Sequence, residues 1–344
     1  MSRTSLLALG ASAAALLFVT ATPASAVLTL TPDGVSAGFT LTTFVSGYNF
    51  GNYGPIAQGI DSAGHVITGS HGDGRIYVFN DVDGQTLGSA ISSTPYVFET
   101  GNPNIAMTSL NGHVYGGQLF GGTYREYFDN GSSAPLTGAV AALSNFLGVW
   151  GDPTSNLLYA ASNSGVVRIN PITGAFTVVN AGLFPDGITV SPDGLTLYAA
   201  VGGAIQSYST TTGALIQTFS TGHGPDGTGV IVGGLHNGKV VVNNNDGTVG
   251  LLDTTKPNGD PTQLIIIASG GTRGDFVSPD RSNGTLFLSG VTDVHRLSCG
   301  PGCSIGGPPP VDGVIPEPSS WALLILGFGA MGAVLRRRLR PALA

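Results

Sequence analysis

Pro185-Asp186-Gly187-Ile188-Thr189-Val190 opens the most regular part of the chain. It is followed by Ser191-Pro192-Asp193-Gly194, Leu197-Tyr198-Ala199-Ala200, Gly203-Ala204-Ile205-Gln206-Ser207-Tyr208, Thr212-Gly213 and a last run from Ala214 to Phe219. These are four short runs rich in β-branched, aromatic and aliphatic residues, separated by three turns that each carry a glycine. Runs of that length with that punctuation read as antiparallel strands joined by tight turns.

The same order recurs at Leu147 to Val179, with Leu157, Tyr159-Ala160, Gly165-Val166-Val167-Arg168-Ile169 and Thr173-Gly174. It recurs at Gly54 to Leu87, with His65-Val66-Ile67-Thr68, Gly74 to Phe79 and Asp83-Gly84. Looser copies run from Asn104 to Leu136, from Pro225 to Ile267 and from Arg273 to Leu297. Corresponding positions lie roughly 36 to 50 residues apart, the period of four-stranded propeller blades. The fold class predicted is all-β, a β-propeller of six blades, with seven as the alternative count. A β-sandwich would explain the strands but not the period. The sixth unit stops after Val294-His295-Arg296-Leu297, one strand short. Gly38 to Val45 is the candidate for the missing strand: paired there, it would close the ring and hide two open edges.

At Ser191-Pro192-Asp193-Gly194 and Leu197-Tyr198 the chain resembles the YVTN/NHL-like class of propellers, over Pro185 to Phe219 and more loosely over Leu147 to Val179. The resemblance implies structural roles. Asp-Gly makes the turn between the first two strands, and the tyrosine packs between blades. Such propellers include enzymes, binding modules and scaffolds, so the fold names no activity.

Only 10% of the residues are charged, the formal net charge is -7, and the pI is near 5.1. Thirteen Lys and Arg in 344 residues give no basic footprint for a nucleic-acid backbone, so no nucleic-acid partner is expected. The 54 glycines and 21 prolines exclude long helices over most of the length. The two cysteines, Cys299 and Cys303, flank Gly-Pro-Gly; outside the cytoplasm a disulfide is the simplest reading, with free or redox-active thiols as the alternative. Two thiols alone make a poor zinc site.

Both ends carry targeting features. Arg3, the apolar run from Leu6 to Thr20 and Ala24-Ser25-Ala26 make a secretory signal peptide over residues 1–26, so the mature chain is expected to begin near Val27; an uncleaved anchor is the alternative. Residues 27–299 form the propeller body and residues 300–318 a Gly/Pro-rich linker ending in Pro316-Glu317-Pro318. Residues 319–344 are read as a transmembrane sorting helix. Ser319 to Leu335 is apolar, 17 residues long, and at the lower limit for spanning a hydrocarbon core of roughly 30 Å. Arg336, Arg337, Arg338 and Arg340 would hold its far end in the cytoplasm. A buried C-terminal core helix is the alternative, but it has no need of clustered arginines. In order and composition this tail resembles the PEP-CTERM sorting signal of Gram-negative bacteria. That resemblance implies an exosortase-type processing partner, an inner-membrane-held precursor, and a final place at the cell surface or outside it. It also implies a setting in an extracellular polysaccharide matrix.

In a propeller the loops leading into the innermost strands gather at one end of the central channel. Here they supply Asn104, Trp150, Asp152, Asp186, His223, Asp226, Arg273 and Asp275. Their carboxylates offer oxygen ligands for Ca²⁺ or another divalent cation, which needs about six to eight. Beside His223 they could instead act as general acid and base on a lactone. The bland reading makes Asp186 and Asp226, both in Pro-Asp-Gly, plain turn formers. Asn80-Asp81-Val82-Asp83-Gly84 is superficially like a calcium loop but lacks the closing Glu, and reads as a hairpin turn, with weak calcium binding as the alternative. His71, before Gly72-Asp73-Gly74, reads as a turn residue. No complete phosphate-cradling loop or Cys-His pair appears. Two functions follow: a surface propeller that binds a polysaccharide or protein ligand or serves as a scaffold, or an exported lactonase or lyase with a divalent metal at the channel mouth. The scarcity of Glu favours the first.

Overall fold

The computed structural model describes residues 27–307, apart from 52, 96–104 and 120. Six antiparallel sheets stand around one channel, so six is the blade count. Their innermost strands are Pro55–Ile60, Ile105–Leu110, Val149–Asp152, Ile188–Val190, Pro225–Gly233 and Val277–Asp280, numbered here as blades 1 to 6. Each blade then steps outward through a second, third and fourth strand. In blade 4 these are Thr196–Val201, Ala204–Ser209 and Leu215–Ser220.

Burial follows that radial order. All six residues of Pro55–Ile60 are buried, because neighbouring blades cover both faces, whereas Leu215–Ser220 at the rim buries only Phe219. The turn read as Asp193-Gly194 is in place. Asp193 Oδ1 accepts from the Ser191 hydroxyl at 2.5 Å and the Leu195 N–H at 3.0 Å, and Gly194 has φ +75°. Tyr198 packs between blades and reaches Thr254 Oγ1 of blade 5 at 3.3 Å.

An innermost strand presents an unpaired backbone edge to the channel, and buried N–H groups need partners. Hydroxyls from adjoining blades supply them. Ser109 accepts from Ile60 N–H at 2.6 Å, Thr108 from Gly151 N–H at 3.0 Å, and Thr189 from Val230 N–H at 3.2 Å.

The ring closes as the sequence predicts. Thr40–Ser46 pairs antiparallel with Asp293–Ser298 in blade 6, from Thr40 opposite Ser298 to Ser46 opposite Asp293. The N-terminal segment does more than that: Thr29–Leu30 first adds a fifth strand to blade 5, opposite Ser269 and Ala268. One continuous segment therefore holds two blades.

The Asn80–Gly84 stretch departs from the expected hairpin. The chain crosses to blade 6, where Gln85–Thr86 runs parallel to Val45–Ser46, before returning as Ser92–Pro95. Its carboxylates meet a guanidinium. Arg296 donates to Asp83 at 2.8 Å and also to Asp81 and Asp280, with its charge 5.2 and 4.7 Å from the ring centres of Phe44 and Phe287.

Ordered structure continues past Cys299. The Cys299–Cys303 disulfide, with a Cα separation of 5.8 Å, turns the chain back. Cys303–Ile305 then pairs with Ile231–Gly233 of blade 5. Gly306 donates to Val230 O at 2.7 Å and lies against Pro279 and Trp150. From blade 6 Arg281 reaches Gly151 O of blade 3, its guanidinium 5.5 Å from the Trp150 ring centre. These groups seal one end of the channel. Among the described residues no helix is long and apolar enough to cross a membrane. Residues 1–26, read as a signal peptide, and the tail, including Pro316, Glu317, Pro318, Arg336, Arg337 and Arg338, lie outside them.

Candidate functional site at the open end of the channel

The loops leading into the innermost strands of blades 3, 4, 5 and 6 stack backbone on backbone. A Cβ on Gly148 would lie 2.4 Å from Asp186 O; on Gly187, 2.0 Å from Asp226 O; on Gly227, 2.7 Å from Asp275 O. Neither Gly187 nor Gly227 has positive φ. The repeated Asp-Gly at these places therefore serves close approach between blades rather than a left-handed turn. No neighbouring backbone N–H is bonded to the Asp226 carboxylate, which has a different partner.

That partner is Arg273. Its guanidinium bonds Asp275 Oδ2 at 2.6 Å and Asp226 Oδ2 at 3.3 Å, and lies 4.9 Å from the centre of the Tyr53 ring. The Tyr53 and His71 rings are 4.7 Å apart. Asp226 is only 2% exposed, and its second oxygen, Oδ1, is buried with no hydrogen-bond partner among the described residues. Asp186 stands in the same field but is open to solvent.

Three carboxylates share one fixed cation, and the ionisation shifts follow. Burial, reinforced by Asp275 and Asp186, raises Asp226 well above the ordinary aspartate value, against the pull of Arg273. Burial pushes Asp275 up to about 6, again opposed by Arg273. Partial desolvation raises Asp186, with Arg273 opposing. Burial and then the Arg273 charge lower His71. Burial disfavours the charge on Arg273 itself, but Asp275 and Asp226 together outweigh it and raise its value.

Asp186, Asp226, Arg273 and Asp275 thus come together. His223 stands at the rim, its Nδ1 2.7 Å from Asp246 Oδ2. Trp150 and Asp152 are elsewhere. A strand advances about 3.3 Å per residue, so Asp152, at the far end of Val149–Asp152, belongs to the sealed end. There it accepts from the Thr154 and Ser155 N–H groups as a turn former. Trp150 is a core residue beneath Arg281. Asn104 lies outside the described residues.

Tyr53 was missed by the sequence reading, and His71, read as a turn residue, does lie in a turn but also packs against the Tyr53 ring at the site. Tyr53 precedes Pro55 by two residues, as Arg273 precedes Asp275, so the rule applied to the other blades would have found it. His71 sits in a turn between second and third strands, for which no such rule existed.

A divalent cation fits poorly here. The place between Asp226 and Asp275 that it would occupy holds the Arg273 guanidinium, which supplies the compensating charge. At the other end of the molecule Asp61, His65 and Asp129 converge, with His65 Nδ1 3.6 and 3.7 Å from the two carboxylates. Asp61 already caps the Ala63 and His65 N–H groups, and three donors fall well short of a calcium shell.

Residues 314–338 match the PEP-CTERM protein-sorting motif. The chain therefore carries that signal, which implies export, a membrane-anchored precursor and recognition by an exosortase. No curated protein sequence matches the chain. Among solved structures it is similar to a gluconolactonase from Xanthomonas campestris, at 16% identity and a TM-score of 0.53, covering 78% of this chain and 93% of that one. It is also similar to virginiamycin B lyase from Staphylococcus aureus, at 15% identity and a TM-score of 0.47, covering 76% and 99%. At such identities the likeness concerns the fold alone.

Proposed function

We propose that this is an exported, surface-sorted propeller that binds an extracellular ligand, a polysaccharide before a protein, at the open mouth of its channel. The observation that carries the reading is the Arg273 cluster: a half-buried guanidinium fixed by Asp226 and Asp275, beside the exposed Tyr53 ring and the exposed Asp186 carboxylate. Such a set offers donors, acceptors and a ring face, the chemistry that recognises a polyhydroxylated ligand.

Topology supports it. Gly307, the last described residue, lies against Pro153 and Arg281 at the end of the innermost strands opposite the Arg273 cluster. Eleven residues separate Gly307 from Ser319, a contour of at most about 40 Å. A propeller tethered at that end is free to turn its mouth away from a Gram-negative inner membrane, or from the cell surface once sorted. The lactonase and lyase reading rests on the fold alone and includes a divalent metal at the channel mouth, where Arg273 already pairs with Asp226 and Asp275.

Two measurements on the full-length protein test this. Elemental analysis should find no stoichiometric divalent metal, and Arg273→Gln should abolish retention on immobilised extracellular polysaccharide from the producing cells while leaving the far-UV spectrum unchanged. One tightly bound divalent ion per chain, lost on Asp226→Asn, would overturn the reading in favour of the metalloenzyme.

A further inference from the structure

A second depression opens on the mouth face, outside the Arg273 cluster. It has a volume of about 330 Å³, at the lower end of the range for small-molecule sites. Its walls come from the Ser162–Gly165 turn of blade 3, from Asn145 in the approach to that blade, and from Ala181 to Phe184 in the approach to blade 4.

Its shape is preformed. Asn163 accepts from Ser144 N–H through Oδ1 at 3.1 Å, and its own N–H donates to Ser144 O at 2.8 Å. With Oδ1 engaged, the side-chain NH₂ of Asn163 is left as a donor. Ser162 Oγ bonds Gly165 O at 3.0 Å, and a Cβ on Gly165 would lie 2.2 Å from Asn180 O. None of the lining residues is ionisable. Phe184 forms one wall and is 45% exposed.

Phe184 is not isolated in this respect. Among the described residues four aromatic side chains are exposed, and three of them, Phe50, Tyr53 and Phe184, belong to loops of the mouth face. An exposed ring beside neutral amide and hydroxyl groups, with no fixed charge, suits a ligand with an apolar C–H face and a rim of hydroxyls. A phosphate or a uronate would find no cation here. Phe184 is separated from Asp186 only by Pro185, whose carbonyl is bonded by Gly148 N–H at 3.2 Å. The depression and the mouth therefore adjoin through one fixed segment.

We infer that this depression is a second subsite, for a neutral sugar unit of the same glycan that the mouth engages. The inference rests on the proposed glycan binding at the mouth and adds the class of ligand: an uncharged, hydroxyl-rich polysaccharide bound across two adjoining subsites. Phe184 stacks on a ring, the Asn163 amide donates to a ring hydroxyl, and Arg273 at the mouth takes the next polar group along the chain.

Affinity electrophoresis of the full-length protein in gels containing dextran, mixed-linkage β-glucan, galactomannan or alginate tests this. Retardation by at least one of the three neutral polymers is expected. Phe184→Ala should weaken that retardation at least fivefold and Phe184→Tyr should retain it, since a phenol keeps the stacking face. If Phe184→Ala binds as tightly as wild type while Arg273→Gln does not, the second subsite is wrong and glycan binding at the mouth stands. If alginate alone retards the protein, the neutral-ligand assignment is overturned and the mouth reading survives. If none of the four retards it, the second subsite falls; the mouth reading is then judged by retention on the producing cells' own polysaccharide.

Discussion

The guanidinium of Arg296 is bonded to the carboxylate of Asp280, which has no solvent-exposed surface at all. Asp81 and Asp83 reach the same guanidinium from blade 1, so a single side chain ties the closing blade to its neighbour. Removing one partner of a buried pair leaves an uncompensated charge and costs about 3–5 kcal/mol. Arg296→Leu should destabilise the body by that amount in urea unfolding. Asp83→Asn, at the exposed edge of the network, should cost less than about 1 kcal/mol.

Backbone contact between blades makes a second prediction. Gly187→Ala would place a methyl carbon 2.0 Å from Asp226 O, where the obstacle is main chain and cannot rotate away. Overpacking of this kind costs about 1–3 kcal/mol. Gly88→Ala, whose methyl group would meet only Thr86 Oγ1 at 3.8 Å, should stay within about 0.5 kcal/mol of wild type. Equal melting temperatures for the two variants would show that the stacked approach loops can separate.

The raised aspartates set a pH dependence with a definite sign. Asp275 titrates near 6 when folded, pushed up by burial against the pull of Arg273, and at the ordinary aspartate value of 3.8 when unfolded. Between those values the folded state holds more protons than the unfolded one, so this group's contribution to stability falls as pH rises from about 4 to about 6 and is flat above. Asp226, raised by burial and its acidic neighbours, acts in the same direction. Denaturation of wild type and Asp275→Asn at pH 4, 5 and 7 tests the sign: the variant should gain stability relative to wild type as the pH rises across that window.

The disulfide closes a loop of only five residues, which by chain entropy is worth roughly 2 kcal/mol. Cys299→Ser with Cys303→Ser should cost no more than that. Because Cys303–Ile305 leads the chain under the channel, the loss should appear locally. Hydrogen exchange should quicken at Ile305 and Gly306 while the innermost strands of blades 1 to 3 keep their protection.

The repeat made the architecture legible because each blade is built locally. Four strands in antiparallel order need only short turns, and the Asp193-Gly194 turn and the Tyr198 wedge state their roles within a dozen residues. Ring closure was legible for a different reason: a sixth unit lacking a strand and a spare strand before the first unit demand one another. The targeting features at the two ends are likewise local in sequence.

The site was half legible. Asp186, Asp226 and Asp275 share a position in the repeat, Arg273 stands two residues before the last of them, and a closed ring brings equal positions together. Asp152 shared the repeat but sat too far along its strand, so its carboxylate belongs to the sealed end. Contacts between distant segments carry no local mark. The cation for Asp81 and Asp83 is an arginine more than two hundred residues away, and the floor of the channel is a segment that reads as linker. The sequence by itself thus determined the blades, the order of closure and the sorting signal, all of which follow from short-range pattern, and left the number of blades at six or seven. Only the tertiary structure decided which charges meet, which end of the channel is open, and that Arg273 stands where a metal ion would, because those depend on how six separately written blades converge around one axis.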